Sequence, residues 1–111
     1  MNYRFETSSY FEKEAKRLAK HYPSFAKDLA IFADSLQKDP YQGVDLGGGI
    51  RKIRMQISLK GKGKVGEARV ITMNLIIDEA NLLIRLLLIY DKKDADNYNE
   101  QALKEAIKEF V

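Results

Sequence analysis

Residues 69–90, RVITMNLIIDEANLLIRLLLIY, decide the fold. Two apolar runs, Arg69–Ile77 and Leu82–Tyr90, flank the short polar segment Asp78-Glu79-Ala80-Asn81. That pattern predicts two strands joined by a tight turn. The second run is apolar at nearly every position, as expected of a strand buried on both faces inside a sheet. Arg85 interrupts it and reads as a structural charge that needs a carboxylate partner. The run is too short to span a bilayer.

Upstream of this pair the hydrophobic period is also two. Ile53, Met55 and Ile57 point one way, and Lys52, Arg54 and Gln56 point the other. Gly47-Gly48-Gly49 reads as a flexible turn before this strand, and Lys60–Gly66 as a glycine-rich hairpin loop after it. Further upstream the period becomes helical. Ser8 or Ser9 offers an N-cap, with Glu12 as the capping-box partner of Ser9. Phe11, Ala15, Leu18, Ala19 and Tyr22 form one helical face that Pro23 closes. Phe25, Leu29, Phe32 and Leu36 form the stripe of a second helix, ending at Lys38-Asp39-Pro40. Tyr3–Thr7 alternates like a short strand, and Asn99 can cap a last helix that buries Leu103, Ala106, Ile107 and Phe110. The order is β-αα-βββ-α over one domain, residues 1–111. It predicts an α+β fold: an antiparallel helix hairpin on one face of an antiparallel sheet, and a short C-terminal helix. The apolar strand face then goes to the helices, and the cationic face is left open.

The charge is concentrated. Arg51 to Arg69 carries seven basic side chains (Arg51, Lys52, Arg54, Lys60, Lys62, Lys64, Arg69) and one acid, Glu67, for a local charge of +6. The whole chain carries +3, so everything outside the stretch sums to −3. A basic surface held on a strand suits a polyanion, with RNA or DNA the first candidate. The bland alternative is a solvated strand face with no partner. There is no Cys, which excludes disulfides, thiolate metal sites and Cys nucleophiles. The start of the chain, MNYRFETSSY, lacks a basic segment followed by an apolar one, so no signal peptide, no membrane and a cytoplasmic location are expected. Gly47–Gly49 lacks the Gly-Lys-Ser/Thr ending of a phosphate-binding loop, which rejects nucleotide binding there.

Cleaving RNA at its own 2′-hydroxyl requires removal of the 2′ proton, stabilisation of the phosphorane and protonation of the departing 5′ oxygen. His21 is the sole histidine, so a histidine pair is absent. Lys and Arg remain. Crowded cations lower one another's pKa, which lets a lysine act as a base near neutral pH. Arginine stays charged and its planar fork clamps phosphate oxygens. Lys52 and Arg54 share one strand face and Arg69 begins the next strand, so these three are expected to surround one phosphate. Arg51, Lys60, Lys62 and Lys64 are expected to touch the RNA backbone rather than to carry chemistry. Asp91 and Asp94 have no histidine or second acidic cluster beside them; neither a metal nor a cofactor is expected.

The element order, Asp45-Leu46-Gly47-Gly48-Gly49-Ile50-Arg51-Lys52-Ile53-Arg54, Gly61-Lys62-Gly63-Lys64, Arg69-Val70-Ile71 and Ile89-Tyr90-Asp91-Lys92-Lys93 together resemble the RelE branch of the RelE/ParE toxin superfamily. The resemblance implies a toxin of a type II toxin–antitoxin pair, an endoribonuclease that cuts mRNA on the translating ribosome. It implies a cognate antitoxin, a small DNA-binding protein encoded beside it. It also implies catalytic roles for Lys93, where the family has an arginine, and for Tyr98, near the start of the last helix; Tyr98 also fits as a packing residue. The family loop reads Gly-Lys-Ser-Gly-Gly, whereas this chain has Gly63-Lys64-Val65-Gly66-Glu67-Ala68, trading a hydroxyl for Val65 and adding the carboxylate of Glu67. Two alternatives stay open: a ParE-like toxin that binds a protein such as DNA gyrase, and a degraded relative that only binds its antitoxin.

Overall fold

The computed structural model describes residues 1–60 and 64–111. Strand β1 (Asn2–Thr7) leads into helices α1 (Ser9–His21) and α2 (Phe25–Lys38). Strands β2 (Val44–Gly47), β3 (Ile50–Lys60), β4 (Lys64–Asp78) and β5 (Asn81–Asp91) follow, and α3 (Glu100–Lys108) ends the chain. Among the described residues the sheet has five strands in the order β1-β5-β4-β3-β2. The fold is α+β, as expected, and no helix of the described residues is long and apolar enough to cross a membrane.

Local chemistry explains the boundaries. Ser8 caps α1: its hydroxyl oxygen accepts the Phe11 amide at 3.0 Å while its O–H donates to the Leu87 carbonyl. Ser9 is therefore the first helical residue, and Glu12 accepts from Thr7 at 3.0 Å instead of closing a capping box. Asn99 caps α3 by accepting the Ala102 amide at 2.9 Å. The turn between β4 and β5 is fixed by Asp78, whose carboxylate accepts the Ala80 amide at 2.8 Å. The three consecutive glycines form the turn between β2 and β3, all at positive φ. Gly49 has φ +81°, and a Cβ there would lie 2.8 Å from the Asn74 carbonyl oxygen, so only glycine fits so close to β4.

The sheet departs from expectation in three ways. It is mixed, because β1 runs parallel to β5, from Asn2 beside Asn81 to Thr7 beside Leu86. A strand apolar on both faces needs neighbours on both edges, and β1 supplies the outer one. Residues 44–47 add a short edge strand, β2, paired with β3. Most importantly, helices cover both faces. α1 and α2 pack Phe11, Leu18, Phe25, Phe32 and Leu36 on Ile53, Met55, Val70, Ile84 and Ile89. On the opposite face, Leu103, Ala106 and Ile107 of α3, with Phe110 just after the helix, pack on Ile71, Leu87 and Leu88. A register shift in β5 enlarges this second apolar face: Ile71 pairs with Leu88 but Thr72 with Leu86. Leu87 is the extra residue of this bulge, so Leu87 and Leu88 both turn toward α3. The cationic face of β3 thus begins where the α3 core ends.

Two polar ties hold the layers. Asp28 of α2 is buried and accepts the Ser58 amide at 2.9 Å, the Ser58 hydroxyl at 2.7 Å and the Ser24 hydroxyl at 2.6 Å. Burial pushes its carboxyl up, but the hydrogen bonds from Ser24 and Ser58 outweigh burial and hold it below the ordinary value. Arg85 has the carboxylate partner its position demands, Glu6 at 3.0 Å, and lies 4.4 Å from the Phe110 ring centroid.

Candidate nucleic-acid interface

On the face of the sheet turned away from α1 and α2, Arg54, Arg69 and Tyr90 stand in one row across β3, β4 and β5. Gln56 and Glu67 pair in the row beside it, and Lys52, Ile71 and Leu88 occupy the row on the other side. Strand alternation forces this arrangement, because Ile53, Met55, Val70 and Ile89 all face the helix hairpin.

A carboxylate from the neighbouring row gathers these cations. Glu67 Oε2 accepts from Arg54 Nε at 2.8 Å and from the Arg69 guanidinium, while Lys92 Nζ lies 3.5 Å from Glu67 Oε1. The hydrogen bond from Arg69, aided by the charges of Arg54 and Lys92, holds the Glu67 carboxyl below the usual carboxylate range. The Arg69 side chain is only 16% exposed, against 72% for Arg54. Arg69 is therefore the enclosed member of the cluster and Arg54 the solvent-facing one. Three cations focused on one pair of oxygens is an arrangement that can hold an oxyanion, and a carboxylate of the chain itself holds that position.

The other candidates are distributed unevenly. Lys52 is half-buried, one row from Arg54, with no ion pair among the described residues. Arg51 is engaged within the chain, since its Nε donates to the Gln42 carbonyl at 2.8 Å and its side chain is 15% exposed. Lys93 turns toward the helix hairpin, its Nζ 5.6 Å from the Tyr22 ring centroid. Hydrogen bonding with Tyr22, and the nearby Asp91 and Asp94, raise its ammonium above the usual value. Asp91, fully buried, accepts the Tyr22 hydroxyl at 2.6 Å and the Lys93 amide at 3.0 Å, which fixes Lys93 on that side. Lys62, and the side chains of Lys60 and Lys64, lie outside the described residues.

Lys92, not Lys93, joins the arginines. Strand periodicity could not announce this, because β5 ends at Asp91 and both lysines lie in the turn after it. The Lys92 amide also donates to the Glu67 carbonyl at 3.1 Å, which anchors the chain after β5 beside the cluster.

Beyond Tyr90 lies a cleft of about 560 Å³ between α1 and the segment entering α3, walled by Tyr10, Tyr90 and Tyr98 with Lys13 and Arg17 at its rim. Tyr98 is half-buried here and packs into the α3 core. The Tyr90 hydroxyl is buried without a hydrogen-bond partner among the described residues. Burial raises its pKa, offset in part by Arg69 and reinforced by Tyr98, so these three side chains are electrostatic neighbours. Among the described residues no three Asp, Glu or His side chains gather as a metal site. Asp94 is engaged by Arg17 at 3.0 Å. No family model and no curated protein sequence matches this chain.

Proposed function

We propose that this chain is the toxin of a type II toxin–antitoxin pair, a metal-independent endoribonuclease that cleaves mRNA in the cytoplasm, on the ribosome, and so stops translation. The observation that carries this reading is the convergence of Arg54, Arg69 and Lys92 on one pair of carboxylate oxygens. A phosphate on the same cations would have its non-bridging oxygens clamped by Arg69, with Arg54 following the charge that develops in the phosphorane. Lys52, one row away, is the group assigned to take the 2′ proton, and Tyr98, beyond Tyr90, is the candidate to give a proton to the departing 5′ oxygen. Chemistry built on such weak acids and bases depends on positioning the RNA, which is the part assigned to the ribosome. The antitoxin would cover the cationic face with an acidic segment.

A second reading, a relative that has lost activity and only binds its antitoxin, is favoured by Glu67, which occupies the position that a phosphate would need. Induction of the chain alone in bacteria separates the two. Growth and translation should arrest, and Arg69→Ala should restore both at equal soluble expression. Unimpaired growth with the parent chain would reject the nuclease reading. Arrest without mRNA cleavage would favour a ParE-like protein target.

A further inference from the structure

We propose that the tyrosine-walled cleft beside the cation row is a nucleobase site, taking one unstacked base of a single-stranded RNA whose adjoining phosphate lies on Arg69 and Arg54. The proposal rests on the RNA-binding reading above and adds to it where the base goes.

The first support is position. Arg54, Arg69 and Tyr90 are register partners on successive strands, and adjacent strands lie about 4.8 Å apart. The cleft therefore opens one strand spacing from Arg69, and Tyr90 belongs to both. The second is the character of its walls. Tyr10, Tyr90 and Tyr98 offer flat apolar surfaces over a floor that includes Leu88. Aromatic faces of this kind hold bases by stacking, without reading their identity.

The third support is unfilled hydrogen-bonding capacity. The Tyr90 hydroxyl is buried and has no partner among the described residues. In addition, β1 pairs with β5 only as far as Leu86, whereas β5 continues to Asp91. Leu88, Ile89 and Tyr90 of that uncovered edge line the cleft, where alternate residues of an edge strand turn their amides and carbonyls outward. A base edge can use such groups. An extended peptide could use the same edge, but stacking between aromatic walls suits the flat faces of a base better. Lys13 at the rim suits the next phosphate.

The test compares a short oligoribonucleotide carrying one 2-aminopurine with the same backbone made abasic at that position, titrated against the full chain and against Ala95→Trp. Ala95 lines the cleft outside any helix or strand, so an indole there fills the space; circular dichroism checks the variant's fold. The parent should bind the base-containing strand about tenfold more tightly than the abasic one, with quenching of the 2-aminopurine emission. Ala95→Trp should erase that difference while salt dependence persists. Equal affinity of the parent for both strands, with steep salt dependence, overturns the base site and leaves the phosphate reading intact. A difference that survives Ala95→Trp also overturns it, because the base then binds outside the cleft. Salt-independent binding, or none, removes the RNA reading and this proposal together.

Discussion

Glu67 is the residue on which the site turns. As an extra carboxylate in a basic loop it reads as damage; in the structure it is the hub that gathers Arg54, Arg69 and Lys92. Both descriptions follow from one fact, that a carboxylate and a phosphate ask the same cations for the same hydrogen bonds. Replacing Glu67 with Gln removes a negative charge that competes with phosphate and should tighten single-stranded RNA binding about fivefold at low salt, the worth of one close charge in water. Weaker binding by the variant would mean that Glu67 organises the cations more than it competes for them. Arg69→Ala should cost about 10²-fold in ribosome-stimulated cleavage, because Arg69 is the clamp held in place before substrate arrives. Lys92→Ala should weaken RNA binding several-fold, as one phosphate contact does, whereas Lys93→Ala should leave it unchanged. A larger loss at Lys93 than at Lys92 would reject the geometry drawn here.

At the scale of elements, β3 carries both the cations and the tie to the helices. Ser58 bonds Asp28 at 2.9 and 2.7 Å, which docks α2 on the strand that holds Lys52 and Arg54. Asp28→Ala strips the bonds from Ser24 and Ser58 and should destabilise the fold by about 2 kcal/mol. Because the folded carboxyl lies below its ordinary value of 3.8, its contribution is whole above that value and is lost as pH falls through the depressed one. The urea midpoint of the parent should therefore fall, as pH drops below about 4, more steeply than that of Asp28→Asn. Parallel curves would show that Asp28 holds the layers without this linkage. The elements also mark where sequence patterning fails. Period and capping chemistry located the helices and β3 to β5. The bulge at Leu87 was hidden, because a run of leucines has the same pattern in either register. The second apolar face of β5 called for a cover, but nothing in the pattern named α3 as that cover. Parallel pairing of β1 was equally illegible, since five alternating residues carry no direction.

For the whole molecule, the division of charge was legible and the division of faces was not. The stretch 51–69 carries +6 and the remainder −3, yet its charges do not act together. Arg51 is spent on the Gln42 and Gly43 carbonyls, and Glu67 offsets the cations around it. Counting basic residues therefore overstates the surface open to RNA, whereas counting the cations of the row does not. With Arg54, Arg69 and Lys92 on phosphate, the logarithm of single-strand affinity should fall with a slope near −2 against the logarithm of salt. A fourfold rise in salt then weakens binding roughly twentyfold, far less than seven basic contacts would require. Titration of a short oligoribonucleotide from low to physiological ionic strength measures the slope directly. A slope near −5 would mean that cations outside the row also reach the RNA, and a flat line would end the case for this face as an RNA surface. If the row is the interface, Arg54→Ala should make the slope shallower by about 0.7, while Arg51→Ala should leave it unchanged, because Arg51 already gives its donors to the chain's own carbonyls.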